Sequence, residues 1–299
     1  MRVRYALPAL AAAAALMLTG CVDNSTPAPG NSTGSSSASD IQIDDAAAAL
    51  LPDAIAESGI LVIGTSPNYP PNEYKDEAGK PIGWAIEMSD AIAAKLGLSA
   101  EYRVARFETI IPGIVGGTIG IGESSFTDNV EREKQVDFVN YYVAGVQWAS
   151  AVGNDIDPDN ACGLKIAVQA TTFQDTDEIP AKRDACVAAG KAAIQKLPFD
   201  TQDAAANAVA LGQADAFSAD SPVTLYAIEQ LKGKLQPAGE TFDAAPYGIA
   251  VAKDTGMAEA VQAALQSMVD DGSYVEILGA WGVVDDGLDT ITINAGVNG

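Results

Sequence analysis

The stretch SSFTDNVEREKQVDF, Ser124 to Phe138, sets three hydroxyl residues, Ser124, Ser125 and Thr127, ahead of Arg132, which falls about one turn inside what reads as a helix start. A cation in a first turn opposes the helix dipole, at a cost of about 0.3–1 kcal/mol. An anionic ligand would reverse that cost. Helix-start amides and hydroxyls donate to it, and a guanidinium grips a carboxylate through two parallel bonds. Ser125 and Thr127 are two apart on an extended segment, so their hydroxyls share one side. The competing reading pairs Arg132 with Asp128 or Glu131 at the surface. Glu123 lies two before Ser125, and by strand alternation it shares the ligand-facing side. A carboxylate there favours a ligand with a second positive charge or several donors. The plainer alternative is a partly buried glutamate satisfied by a lysine or by backbone.

The elements that must position these groups are legible as alternating short apolar runs and helical patterns, which predict parallel strands covered by helices on both faces. GILVIGTS gives a strand at Ile60 to Ile63, and Met88, Ile92 and Leu96 give a helix stopped at Gly97. A strand at AEYRVA, a helix at TIIPGIVGG and a strand at IGIGESSF complete the first series. The second series begins with a strand at Ile166 to Val168 and a helix from Ala204 to Leu211 closed by Gly212. ADAFSAD is a strand, and SPVTLYAIEQL a helix with Ser221 as cap and Pro222 in the first position. YGIAVAK adds a strand, and two helices broken at Gly272 end the pattern. Two α/β series imply two lobes, with the cleft between them as the ligand site.

At 299 residues and 48% hydrophobic, the chain has enough apolar material for about two domains. Lys and Arg number 17 against 40 Asp and Glu, a net charge of −23 that speaks against nucleic acid or anionic lipid as partners. Histidine is absent, which removes the commonest proton shuttle near neutral pH. No nucleophile elbow, phosphate loop or metal-ligand cluster stands out, so neither a cofactor nor a metal is expected. Residues 1–20 show Arg2 and Arg4, then an apolar run to Leu18, the layout of a signal peptide. Residues 21–45 are rich in Ser, Thr, Pro, Gly and Asn and predict a flexible tether. Cys162 and Cys186 are then either a disulfide in an oxidising compartment or two buried thiols.

The motifs GTSPNYPPNEY, GW followed by EMSDAIAAKLGL, RFETIIPGI, SSFTDNVEREKQVDF, VQATT, ADAFSAD, PYGIAVAK and DDGSYVEILGAWGV follow one another between about Gly59 and Gly282. In this order the chain resembles the bacterial extracellular solute-binding proteins of ABC importers, in the polar amino acid branch. The resemblance implies an α/β, two-lobed periplasmic-binding-protein fold of type II, with residues 46–148 and 248–299 as lobe 1 and 149–247 as lobe 2. Two crossings near Ala149 and Tyr247 would form the hinge. It implies that Arg132 binds the α-carboxylate of an amino acid and Asp220 the α-amino group. Ser125, Thr127, Thr171 and Thr172 would add donors, and Tyr69 and Phe107 would wall the side chain. LTGC resembles a lipobox, with Cys21 carrying the lipid on the outer face of the cytoplasmic membrane. The expected function is non-enzymatic: a monomer captures an amino acid and delivers it to a membrane permease and its ATPase. A cyclohexadienyl-dehydratase-like enzyme and a sensory protein are the alternatives on the same fold.

The departures concern the ligand. Basic-amino-acid binders tend to carry aspartate where this chain has Ser66, which argues against a simple lysine or arginine binder. Asn72 stands where an aromatic is usual after YPP. Ala85 and Gly120 replace acids, and Glu123 replaces an apolar residue.

Overall fold

The computed structural model describes residues 41–296. The expected signal segment, Cys21 and all but the last residues of the expected tether lie outside the described residues. Ile41 packs against the core and the Asp44 carboxylate caps α1 (Asp45–Ala48), so the folded body begins a few residues earlier than composition indicated.

Eight strands run in one continuous sheet path, and a ninth strand is attached to it. One half is built from β1 (Ile60–Thr65), β4 (Ser99–Val104) and β5 (Ile121–Thr127), with the small pair β2 (Tyr74–Lys75) and β3 (Pro81–Ile82) beside it. The other half holds β7 (Lys165–Gln169), β8 (Gln195–Phe199) and β9 (Ala216–Asp220). Within each half the main strands are parallel. Two long strands, β6 (Asp137–Ala151) and β10 (Leu235–Val251), run antiparallel and join the halves, so the sheet is mixed rather than parallel throughout. Their ladder is irregular between Ala238 and Gly248. β11 (Gly287–Ile293) pairs with β6.

Helices cover both faces as alternation predicts. α2 (Asp53–Ser58), α3 (Trp84–Lys95), α4 (Phe107–Val115), α8 (Met257–Asp271) and α9 (Ser273–Ala280) serve the first half. α5 (Ile179–Ala188), α6 (Gln202–Ala210) and α7 (Ser221–Gln230) serve the second. Trp84, Met88, Ile92 and Leu96, spaced by four, are buried against the sheet, as that spacing requires. Phe126, Leu61 and Ile63 are among the fully buried side chains, and each such burial stabilises by about 1.5–3 kcal/mol. The second half has a separate core on each sheet face. Cys162 and Cys186 are joined as a disulfide beside one of them, which excludes the free-thiol alternative.

Two local expectations fail in ways that matter for the site. No α-helix follows β5. Arg132 opens a three-residue 3-10 turn, Arg132–Lys134, because the charged run VEREKQ has no apolar periodicity to bury before β6 begins. The dipole cost read from sequence therefore does not arise. Ser221 is the first residue of α7 rather than its cap. Asp220 holds the cap position by backbone alone, leaving its carboxylate for other partners.

Candidate functional site

Four strands bring their carboxyl ends together: β1 leads into Ser66, β5 ends at Thr127, β7 at Gln169 and β9 at Asp220. These ends surround a narrow, partly open pocket. Tyr69, Phe107, Ser125, Thr127, Arg132, Thr172 and Asp220 line it, seven of the eight residues expected to bind ligand. Thr171 does not. It borders an adjoining open depression and reaches the site through its carbonyl.

Arg132 donates from Nη1 to the Thr127 carbonyl at 2.8 Å and from Nη2 to the Thr171 carbonyl at 3.1 Å. Its guanidinium lies over Phe107 and Phe126, 5.6 and 5.7 Å from the ring centroids, and the two rings stack 4.5 Å apart. Phe107 therefore also supports the arginine, a role the side-chain-wall expectation missed. Among the described residues no carboxylate forms an ion pair with Arg132, which disposes of the Asp128 or Glu131 pairing. Burial pulls its pKa down to about 10, against the charges of Asp177 and Asp220. It is a cation at neutral pH.

Asp220 accepts from three neutral donors: Tyr69 Oη at 2.9 Å, Tyr247 Oη at 2.7 Å and Gln174 Nε2 at 2.7 Å. Burial raises its pKa, while these bonds and the Arg132 charge lower it. Tyr247 lies on the irregular part of β10, opposite Thr127 of β5, and Val146 of β6 pairs with Asp220. The ribbon that joins the halves thus also delivers the groups that hold Asp220.

Glu73, Gln169, Phe173 and Gln174 on the cavity wall are not singled out by the sequence reading, while Ser66 and Ser124, noted there without a binding role, also line it. Glu73 matters most. It is fully buried and accepts from Ser125 Oγ at 2.8 Å and from Ser124 Oγ at 3.3 Å. The turn that carries it is clamped by the GW motif: Trp84 Nε1 donates to Asn72 Oδ1 at 2.9 Å and the Ala85 amide to the Asn72 carbonyl. Gly83, at φ 127°, is required there, because a Cβ would come 2.1 Å from that carbonyl oxygen. Asn72 also donates to Ser125 Oγ at 2.9 Å, so its departure from the family's aromatic serves this network. The signal for Glu73 is an acid two residues after Pro70-Pro71, and only the clamp reveals that it points inward.

Ser125 sits at φ 50° and Thr171 at φ 65°, left-handed conformations that non-glycine residues rarely adopt and that concentrate at functional sites. At Ser125 this breaks the alternation of β5, so Ser124 and Ser125 both reach Glu73. Glu123 consequently does not line the cavity. Fully buried, it accepts from Tyr141 Oη at 2.6 Å and, at 3.5 Å, from the Ser125 amide. No lysine among the described residues pairs with it.

A two-lobed α/β body with an arginine and an aspartate facing one pocket at the carboxyl ends of its strands defines a ligand-binding protein of the periplasmic-binding-protein fold. The chain belongs to the bacterial extracellular solute-binding proteins, family 3, which it matches over residues 61–284. It is 41% identical over 248 residues to the arginine-binding protein ArgT of Corynebacterium glutamicum, covering 82% of each chain. An ancestral arginine-binding protein bound to arginine superposes with a TM-score of 0.69 at 33% identity, over 75% of this chain and 98% of the other. An ancestral arginine-binding protein bound to glutamine gives 0.68 at 35%, with the same coverage. Among the described residues no cluster of three His, Cys, Asp or Glu could hold a metal ion, and no helix is long and apolar enough to cross a membrane.

Proposed function

We propose that this protein captures a free L-amino acid with a cationic side chain, arginine foremost, outside the cell and presents it to an ABC permease and its ATPase without chemical turnover. The observation that carries this is the presence of Arg132, Asp220 and Glu73 on one cavity wall. Such a ligand has three charges, and each meets its opposite: carboxylate to Arg132, α-ammonium to Asp220, side-chain cation to Glu73. The similarity to an arginine-binding protein supports the reading. Ser66, where basic-amino-acid binders tend to have aspartate, counts less against it because Glu73 supplies the acid from a neighbouring turn. Thr172, Thr127 and Ser125 supply hydroxyls, and Tyr69 and Phe107 the walls. Attachment to the membrane through a lipid on Cys21, and action as a monomer, complete the proposal.

Calorimetric titration of the mature protein against the amino acids and their decarboxylated and amidated analogues tests it. Arginine or lysine should bind with micromolar or tighter affinity, and agmatine, which lacks the carboxylate, far more weakly. Preference for a neutral amino acid over both would overturn the cationic assignment. Product formed from a cyclic dienyl acid would overturn the absence of turnover.

A further inference from the structure

Glu73 and Glu123 are both fully buried, and neither has a cationic partner among the described residues. Ser125 connects them: its hydroxyl donates to Glu73 and its amide faces Glu123. Glu123 Oε2 is buried with no hydrogen-bond partner. Burial disfavours two neighbouring carboxylates both staying charged without a counter-ion. We propose that Glu123 is a selectivity-determining residue that acts through Glu73: the pair holds a proton in the ligand-free protein, and a cationic ligand side chain displaces it, so that pH sets the preference between cationic and neutral amino acids. The inference rests on the cationic-ligand reading above.

The surroundings agree with this. Glu73 faces Tyr69 from its own turn, Asp220 from β9, Tyr141 from β6 and Glu123 from β5. Glu123 faces Tyr141 and, on β4, Tyr102. All are neutral or acidic, and among the described residues Arg132 is the one cation on the cavity wall. Burial first, and then the Glu123 charge, raise the Glu73 pKa, and burial pushes Glu123 up to about 8. A neutral amide side chain at Glu73 can be accepted by the protonated acid. A guanidinium needs the carboxylate.

The test is calorimetry of the native protein between about pH 6 and pH 8, in buffers of differing ionisation enthalpy, with arginine and with glutamine. Glutamine carries the same α-amino and α-carboxyl groups and so cancels their titration. Arginine affinity should rise with pH, approaching tenfold per unit where one proton is released, and its heat should depend on the buffer. Glutamine should show neither effect. In Glu123→Gln, Glu73 loses its acidic neighbour and ionises more readily, so the rise in arginine affinity should move to lower pH. Flat arginine affinity in the native protein overturns the inference and leaves the cationic reading standing. An unchanged pH profile in a folded Glu123→Gln overturns the assignment of Glu123. Absence of arginine and lysine binding at every pH overturns both readings.

Discussion

Arg132 and Asp220 face the same cavity and do not pair with each other. Arg132 is held by the Thr127 and Thr171 carbonyls, Asp220 by Tyr69, Tyr247 and Gln174. Neutral partners fix both side chains while leaving their charges uncompensated, which is the state a zwitterion can satisfy without first breaking an ion pair. Arg132→Ala and Asp220→Asn should each weaken amino acid binding by about 2–5 kcal/mol, because the opposite ligand charge is left buried and unpaired. Titration calorimetry on variants with native circular dichroism reads this. Native affinity in either would place the ligand elsewhere.

The fold was legible because it rests on two strong periodicities, and the strands and helices around Ile60 to Leu96 fall where spacing put them. Of the ribbon only the YGIAVAK end of β10 was legible; β6 was not, because a buried strand of such length with Asn140, Gln147 and Ser150 along it mixes polar with apolar positions. Arg132 and Asp220 were found because motif context marks them. Glu73 was overlooked because its inward direction depends on Gly83 and Trp84, which are distant in kind from a carboxylate signal. The direction of Glu123 stays open in the sequence because alternation assumes a regular strand, and the left-handed Ser125 interrupts it; the buried, backbone-bonded alternative is the one that fits.

Stability of the ligand-free protein should fall as pH rises through neutrality. Burial raises Glu123 to about 8 and Glu178 and Asp128 to about 7, all above the ordinary carboxyl value. The native state therefore binds more protons than the unfolded chain in that window, and its stability declines from about pH 4.5 upward until the folded-state values are passed. Glu178 accepts from Trp148 Nε1 at 2.8 Å and Ser218 Oγ at 2.6 Å, contacts a glutamine can keep once the serine hydroxyl turns to accept. Glu178→Gln should thus flatten the decline in melting temperature between about pH 5 and pH 8. An unchanged slope would show that Glu178 titrates as an ordinary acid.

Reduction of the Cys162–Cys186 bond should lower stability and spare binding. The bond spans 24 residues, a loop whose closure is worth about 3 kcal/mol by chain entropy. In a body of this size that is roughly 6–12 °C in melting temperature. Neither cysteine lines the ligand cavity, and Cys186 packs in the outer core of the second half. Thermal melts with and without reductant, paired with titrations below the lower transition, check both halves of the expectation. Equal melting temperatures would mean the unfolded chain gains little freedom from the break.

Gly83→Ala should damage selectivity more than general binding. Its Cβ would meet the Asn72 carbonyl oxygen at 2.1 Å and the Pro71 carbonyl oxygen at 2.8 Å, both backbone atoms with no flexible end to yield. The φ of 127° is itself strained for alanine, so a loss of at least about 1–3 kcal/mol in stability is expected. Relief can come only by pushing the Pro71–Glu73 turn away from α3, which carries Glu73 with it and loosens its bonds to Ser124 and Ser125. Arg132 sits on another element and keeps its partners, and Asp220 keeps Tyr247 and Gln174, with only its Tyr69 donor tied to the displaced turn. Affinity for arginine should therefore drop more than affinity for glutamine, because Glu73 faces only the cationic side chain. An equal loss for the two ligands would mean that the displaced turn disturbs the whole cavity, and that the GW clamp positions more than the one carboxylate.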